Sequence, residues 1–289
     1  MSRKVLIRII GAPLLLAALA GVVYLDRQLQ KPLGIIVVAA LFSIASYREL
    51  CAMARLKGMS PATEFGTLAL MIAWCSIFWL FWKGSALADQ LTVTMTLLAA
   101  LLVWMVVRYG KFSPADAGFS FLAFAYMMLL SFAVWPTDQM KFDQGQLWLA
   151  FLVATNKGSD MAAYTFGKLF GRHKLAPQVS PNKTWEGAIG GLVAGAGLGA
   201  ILIERTSLRD VFAARGEPFG PPAPVWAVFA FAIAVTIAAQ LGDLVKSAVK
   251  RWAGVKDSGR LLPEFGGALD MCDSFVLSAP VAWLLMRLF

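Results

Sequence analysis

The sequence has little of what a soluble protein depends on. Charged residues make up 15% of its 289 residues and hydrophobic ones 59%, with a mean hydropathy of +0.69. Too little polar material remains to clothe a water-facing surface, so a soluble globular reading is excluded. Cysteine is scarce. Cys51, Cys75 and Cys272 lie in separate apolar segments without CxxC spacing, and read as reduced packing residues rather than a disulfide framework or thiolate metal site. His173 is the only histidine, which argues against a histidine-based metal centre or a Ser-His-Asp triad. The glycine spacing of a Walker loop is missing, so a P-loop nucleotide site is not indicated. No convincing internal repeat is visible, which weighs against an inverted-repeat transporter. Acidic residues are outnumbered by basic ones, 17 against 26. The surplus sits in short loops between apolar runs, an arrangement that serves orientation in an anionic membrane rather than nucleic-acid binding.

What the chain has in abundance is apolar runs of about 20 residues, each long enough to cross a bilayer core of roughly 30 Å. They predict an all-α, polytopic transmembrane protein with about nine spans, at 5–24, 34–54, 65–83, 91–108, 117–135, 146–167, 186–203, 225–249 and 268–288. Residues 1–140 hold the N-terminal spans. Residues 141–289 hold the charge-bearing ones, in one integral membrane unit. The basic start and ALAG stretch resemble a signal peptide, but with so many spans behind it an uncleaved first helix is expected. The distribution of Lys and Arg places the N-terminus and the loops after the sixth and eighth spans in the cytoplasm, with the C-terminus outside the cell membrane. Trp79, Phe81 and Trp82 read as an interfacial belt. The neighbours Arg48 and Glu49 read as a structural ion pair or snorkelling pair at the end of a span.

Chemistry concentrates in three stretches. In the sixth span, Asn156, Asp160 and Tyr164 share a helix face, and Lys157 stands three residues from Asp160. The face reads either as a packing ion pair or as substrate lining. SPNKTWEG follows, where Ser180 or Thr184 can cap the next helix and Lys183 adds charge beside free N–H groups that favour an anion. This reads as a phosphate-binding loop. The third stretch, Leu241 to Ser274, places Asp243, Lys246, Ser247 and Lys250 on one helix face, and Asp270 and Asp273 at i and i+3 in the next helix. Ionisable residues at membrane-helix ends are expensive and mark functional sites by default. Three carboxylates and two lysines at one helix seam suit a divalent cation and a polyphosphate. Lys250, Arg251 and Lys256 lie where phosphates need neutralising, Asp257 adjoins Lys256, and Gly266-Gly267 lets backbone N–H groups approach a ligand.

The segments SPNKTWEG and GDLVKSAVKRWAGVKD…LPEFGGALDMCDS resemble the phosphatidate cytidylyltransferases, the CDP-diacylglycerol synthases. Ser247, Lys250, Arg251, Lys256, Asp257, Pro263, Gly266, Gly267, Asp270, Asp273 and Ser274 fall in register with that family's C-terminal pattern of S, K-R, K-D, P-G-H-G-G and D-R-x-D-S. The resemblance is strong over residues 150–280, and earlier residues match only as membrane helices. Glu264 and Phe265 replace the first glycine and the histidine of P-G-H-G-G, and Met271 replaces the arginine of D-R-x-D.

The resemblance implies a membrane enzyme, typically a homodimer, that joins CTP and phosphatidate into CDP-diacylglycerol and pyrophosphate with Mg²⁺. In some members a monovalent cation such as K⁺ acts alongside. It implies Asp243 and Asp270 as metal ligands with Asp273 beside them. The residues fit that mechanism independently. The nucleophile is already anionic, so positioning and charge neutralisation suffice and histidine is dispensable. Alternatives are a related lipid-phosphate nucleotidyltransferase or polyprenol kinase and, in a different class, an ion-coupled transporter whose ion path would be Asp160, Asp243 and Asp270.

Overall fold

A computed structural model describes residues 20–83, 95–97, 99–100, 103–104, 107, 113–138, 140–212, 224–259 and 266–287. Helix dominates, as the absence of polar partners in lipid requires, because a helix satisfies its backbone hydrogen bonds internally. The principal helices among the described residues are α1 (Leu33–Arg55), α2 (Thr63–Lys83), α3 (Pro114–Met128), α4 (Phe142–Phe170), α5 (Trp185–Arg205), α6 (Val225–Ala253) and α7 (Ala268–Met286). Among the described residues, six helical stretches are long and apolar enough to cross a membrane: α1, α2, Pro114–Thr137, α5, α6 and α7. The chain is a polytopic helical membrane protein.

The expected count of nine is not reproduced. The spans at 5–24 and 91–108 fall wholly or largely outside the described residues. The one expected at 146–167 does form a helix, α4, of 29 residues. It is not among the six, because Asn156, Lys157, Ser159 and Asp160 interrupt its apolar run. A second correction concerns SPNKTWEG, read from sequence as a loop. Lys174–Ala176 (β1) and Ser180–Thr184 (β2) pair as an antiparallel hairpin leading into α5.

The backbone gathers into two compact units, Met1–Met128 with Trp252–Cys272, and Leu129–Arg251 with Asp273–Phe289. In the first unit, α1 and α2 form a hairpin whose core includes Tyr47, Leu50, Leu70, Trp74 and Ile77, with Phe124 and Met127 of α3 also buried. Polar groups pin its turns. Asp26 accepts from the amides of Gly34 at 2.6 Å and Ile35 at 3.0 Å, serving the exposed N–H groups of α1, since Pro32 offers no side-chain cap. Burial raises the carboxyl pKa of Asp26. Asp116, at the start of α3, accepts from the Ser60 amide at 2.7 Å and the Ser113 hydroxyl at 2.8 Å.

In the second unit α4 and α5 pack closely. Small residues drive this, because lipid supplies no hydrophobic force between helices and association depends on packing and hydrogen bonds. A Cβ added at Gly191 would lie 2.8 Å from the Ser159 carbonyl, and one at Gly195 would lie 2.9 Å from that of Thr155. The two backbones could not meet around any larger residue. Polar clamps complete the seam. Gln240 of α6 donates to the Ser159 hydroxyl at 3.1 Å and the Ala188 carbonyl at 3.0 Å. Asn156, fully buried, donates to the Ser278 hydroxyl of α7 at 2.8 Å.

Candidate active site

α6 has 29 residues, about 44 Å of rise against a hydrocarbon core of roughly 30 Å. Asp243 lies about 27 Å along it, so the helix carries its charges toward the edge of the apolar layer. There, in the second unit, four side chains converge. Lys246 is only 8% exposed. Its ammonium contacts Asp243 at 2.9 Å and also pairs with Asp273 of α7. Lys183 of β2 makes an ion pair with the second oxygen of Asp243. Asp243 and Asp273 share the Lys246 ammonium. Their backbones approach closely because position 242 is glycine, where a Cβ would meet the Asp273 carbonyl.

Such a cluster is costly to desolvate unless every charge is matched. Here two carboxylates face two ammonium groups. A second ion pair, Lys157–Asp160 at 3.3 Å on α4, stands near enough for Asp160 to feel Asp243 and Lys183. Lys157 also lies over the Phe275 ring, 5.4 Å from its centroid.

The hairpin delivers Lys183. Thr184 caps α5, its hydroxyl accepting from the Gly187 amide at 3.2 Å. Of the two expected capping candidates, Thr184 fills the position and Ser180 instead opens β2, half-buried. Glu186, a residue sequence reasoning left out, holds the hairpin's entry. It accepts from the Arg172 amide at 3.1 Å and meets His173 Nδ1 at 2.6 Å. Arg251, near the end of α6, donates to the Val179 carbonyl at 3.1 Å and ties the hairpin tip to that helix. Arg251 therefore serves the hairpin's placement. Ser247 and Lys250 follow Asp243 on α6, both half-buried. Tyr164 is 71% exposed.

The remaining expected residues belong to the first unit. Lys256 and Asp257 are exposed. Gly266 adopts φ +89°, a left-handed conformation that favours glycine. Asp270 accepts from the amide and hydroxyl of Ser258 at 3.2 and 3.0 Å and from the Gly267 amide at 3.3 Å. Glu49, expected to pair with its neighbour Arg48, does something else. Arg48 pairs with Glu64 at 3.4 Å, while Glu49 accepts from Ala268 and Leu269 amides at 2.8 and 3.0 Å and from the Ser258 hydroxyl at 2.8 Å. The signal for this was a helix start, Gly-Gly-Ala-Leu-Asp, with no Ser, Thr, Asp or Asn at its cap, so its free amides needed an acceptor from elsewhere. Glu264 and Phe265 lie outside the described residues, whereas Met271 sits half-buried in the first turn of α7.

Among the described residues no group of three or more His, Cys, Asp or Glu side chains stands together as a metal cage. The carboxylate pair Asp243–Asp273 is nonetheless the donor set a hard divalent cation uses when phosphate and water complete its shell.

A phosphatidate cytidylyltransferase of Staphylococcus haemolyticus is 32% identical over 274 residues, covering 94% of this chain and 97% of its own length. Those of Staphylococcus saprophyticus and Staphylococcus epidermidis are 31% and 30% identical, with the same coverage. The sequence profile of the cytidylyltransferase family matches residues 6–289, and the chain belongs to that family.

Proposed function

We propose that this protein transfers the cytidylyl group of CTP to phosphatidate, giving CDP-diacylglycerol and pyrophosphate for phospholipid synthesis. The observation that carries the reading is the charge cluster of half-buried Lys183 and Asp243 with buried Lys246 and Asp273, in a chain whose similar relatives are named phosphatidate cytidylyltransferases. A lipid phosphate oxygen attacks the α-phosphorus of CTP and the bond to the β,γ-pyrophosphate breaks. No proton need be moved to make the nucleophile. The work of the protein is to hold two polyanions in line and balance their charge.

Lys183 and Lys246 supply the cationic side of that balance, with Ser247 the next residue along α6 and Lys250 about one turn further. Asp243 and Asp273 would hold Mg²⁺, with phosphate and water completing its shell. When bound, the ion neutralises phosphate charge and polarises the P–O bonds. The amide-rich start of α5, capped by Thr184, sits directly after Lys183 and favours a phosphate oxygen. Lys256, Asp257, Gly266, Gly267 and Asp270 are proposed contributors on the strength of the family motif alone. We further propose cytoplasmic placement for the hairpin and for the 254–267 segment, and a homodimer in the cell membrane.

The test is product analysis with the purified protein, CTP, Mg²⁺ and phosphatidate in detergent. Equimolar CDP-diacylglycerol and pyrophosphate support the proposal. CDP as the nucleotide product would instead identify a CTP-using lipid kinase.

A further inference from the structure

Glu49 lies in the first half of the chain, outside every motif that carries the proposed chemistry, yet its contacts all fall on the motif segment. Both its oxygens are engaged. Oε1 accepts from the Ala268 amide at 2.8 Å. Oε2 accepts from the Leu269 amide at 3.0 Å and lies 2.8 Å from the Ser258 hydroxyl. The same hydroxyl stands 3.0 Å from Asp270 Oδ2. A serine has one proton, so its hydroxyl donates to one carboxylate at a time while standing within reach of both.

The backbone is shaped around this link. A Cβ at Gly267 would collide with both the Ser258 hydroxyl and the Glu49 carboxylate, and one at Gly259 would collide with Glu49 again. Residues 258–259 and 267–269 therefore close on one side chain delivered by α1. A carboxylate on the first amides of α7 also complements the helix dipole, stabilising the turn that holds Asp270. Three hydrogen-bonding contacts and two glycines packed on the carboxylate are more than a snorkelling charge requires.

We infer that Glu49 is a positioning residue for the reaction: it fixes the start of α7 and, through Ser258, the orientation of Asp270. The inference rests on the proposed cytidylyl transfer for its catalytic readout, but its structural half does not. The effect of Glu49 on turnover passes through Ser258 and the amides of Ala268 and Leu269. Displacing a properly placed group by a fraction of its working geometry costs about 10- to 100-fold in rate.

The experiment compares the full-length wild type with Glu49→Gln, Ser258→Ala and the double variant in detergent. It measures kcat, KM for CTP and phosphatidate, melting temperature, and amide hydrogen exchange over 258–270. The expected result is a folded Glu49→Gln with kcat down about 10- to 100-fold, both KM values within about twofold and faster exchange at Ala268 and Leu269. Adding Ser258→Ala to it should cost little more, because residues acting as one unit are not additive. A Glu49→Gln protein that melts lower yet keeps its kcat overturns the inference and leaves a purely structural contact. If Glu49→Gln does not fold, Ser258→Ala decides: unchanged kcat and unchanged exchange overturn it, loss of kcat at constant KM supports it. A wild type that makes no CDP-diacylglycerol defeats the functional reading instead, and exchange at 258–270 then decides alone whether Glu49 holds the segment.

Discussion

Replacing Lys246 by methionine tests whether the cluster is a matched charge assembly. The substitution keeps the length and apolar stem of the side chain and removes only the ammonium. At an effective dielectric of about 20, one charge contact at the 2.9 Å separating Lys246 from Asp243 has a gross attraction of about 6 kcal/mol. The desolvation of a group only 8% exposed offsets part of that. Breaking a buried pair by removing one partner nets about 3–5 kcal/mol, because the remaining charge stays buried and unmatched. Here that charge is Asp273, 3% exposed, while Asp243 keeps Lys183. At roughly 2 °C per kcal/mol for a chain of this size, Lys246→Met should melt roughly 6–10 °C below wild type in metal-free detergent solution. Adding Asp273→Asn should recover more than half of the loss, since it removes the carboxylate that depends on the ammonium most. Millimolar Mg²⁺ should raise the melting temperature of Lys246→Met more than that of the wild type. A single variant melting within about 2 °C of wild type without metal would refute the matched-charge reasoning.

Other parts of the account carry their own tests. Thr184→Ala removes the α5 cap and should cost about 1 kcal/mol in thermal unfolding, whereas Thr184→Ser keeps the hydroxyl and should be near neutral; equal melting of the two contradicts the cap. Gly267→Ala places a methyl on Ser258 and Glu49 and should cost about 1–3 kcal/mol as overpacking, read as a lowered melting temperature that Glu49→Ala in the same chain partly restores. A single cysteine at Gln178, at the hairpin turn, in a background lacking Cys51, Cys75 and Cys272, should react with a membrane-impermeant maleimide in inverted vesicles and not in intact cells. The opposite labelling would reverse the proposed orientation.

The membrane helices were legible because lipid imposes one simple rule, about twenty apolar residues per crossing. The ends of α1, α2, α5 and α6 accordingly fall within a few residues of expectation. The meeting of Asp243, Lys246 and Asp273 was also legible, since helix periodicity put the first two on one face and their cost in an apolar environment required partners. Lys183 was expected to serve an anion, and in the structure it rests on Asp243.

What escaped was long-range or locally disfavoured. Ser-Pro-Asn-Lys-Thr has poor strand propensity, and the hairpin forms because Glu186 holds its entry and Arg251 its tip. Glu49 was misassigned because its adjacent arginine offered an obvious local partner, while its true contacts lie some 209 to 220 residues away. Asp270 and Asp273 share a helix, yet one side chain bonds Ser258 while the other pairs with Lys246. Spacing alone did not separate those two environments.

The most direct measurement is the turnover of Asp273→Asn in the CTP, Mg²⁺ and phosphatidate assay, with folding checked by thermal melting. The account predicts that wild type forms CDP-diacylglycerol and pyrophosphate in equal amounts. It predicts that the folded variant loses at least about 100-fold in kcat, as expected when charge stabilisation of the transition state is removed. A folded Asp273→Asn protein that turns over like wild type would contradict the assignment of this charge cluster as the reaction centre.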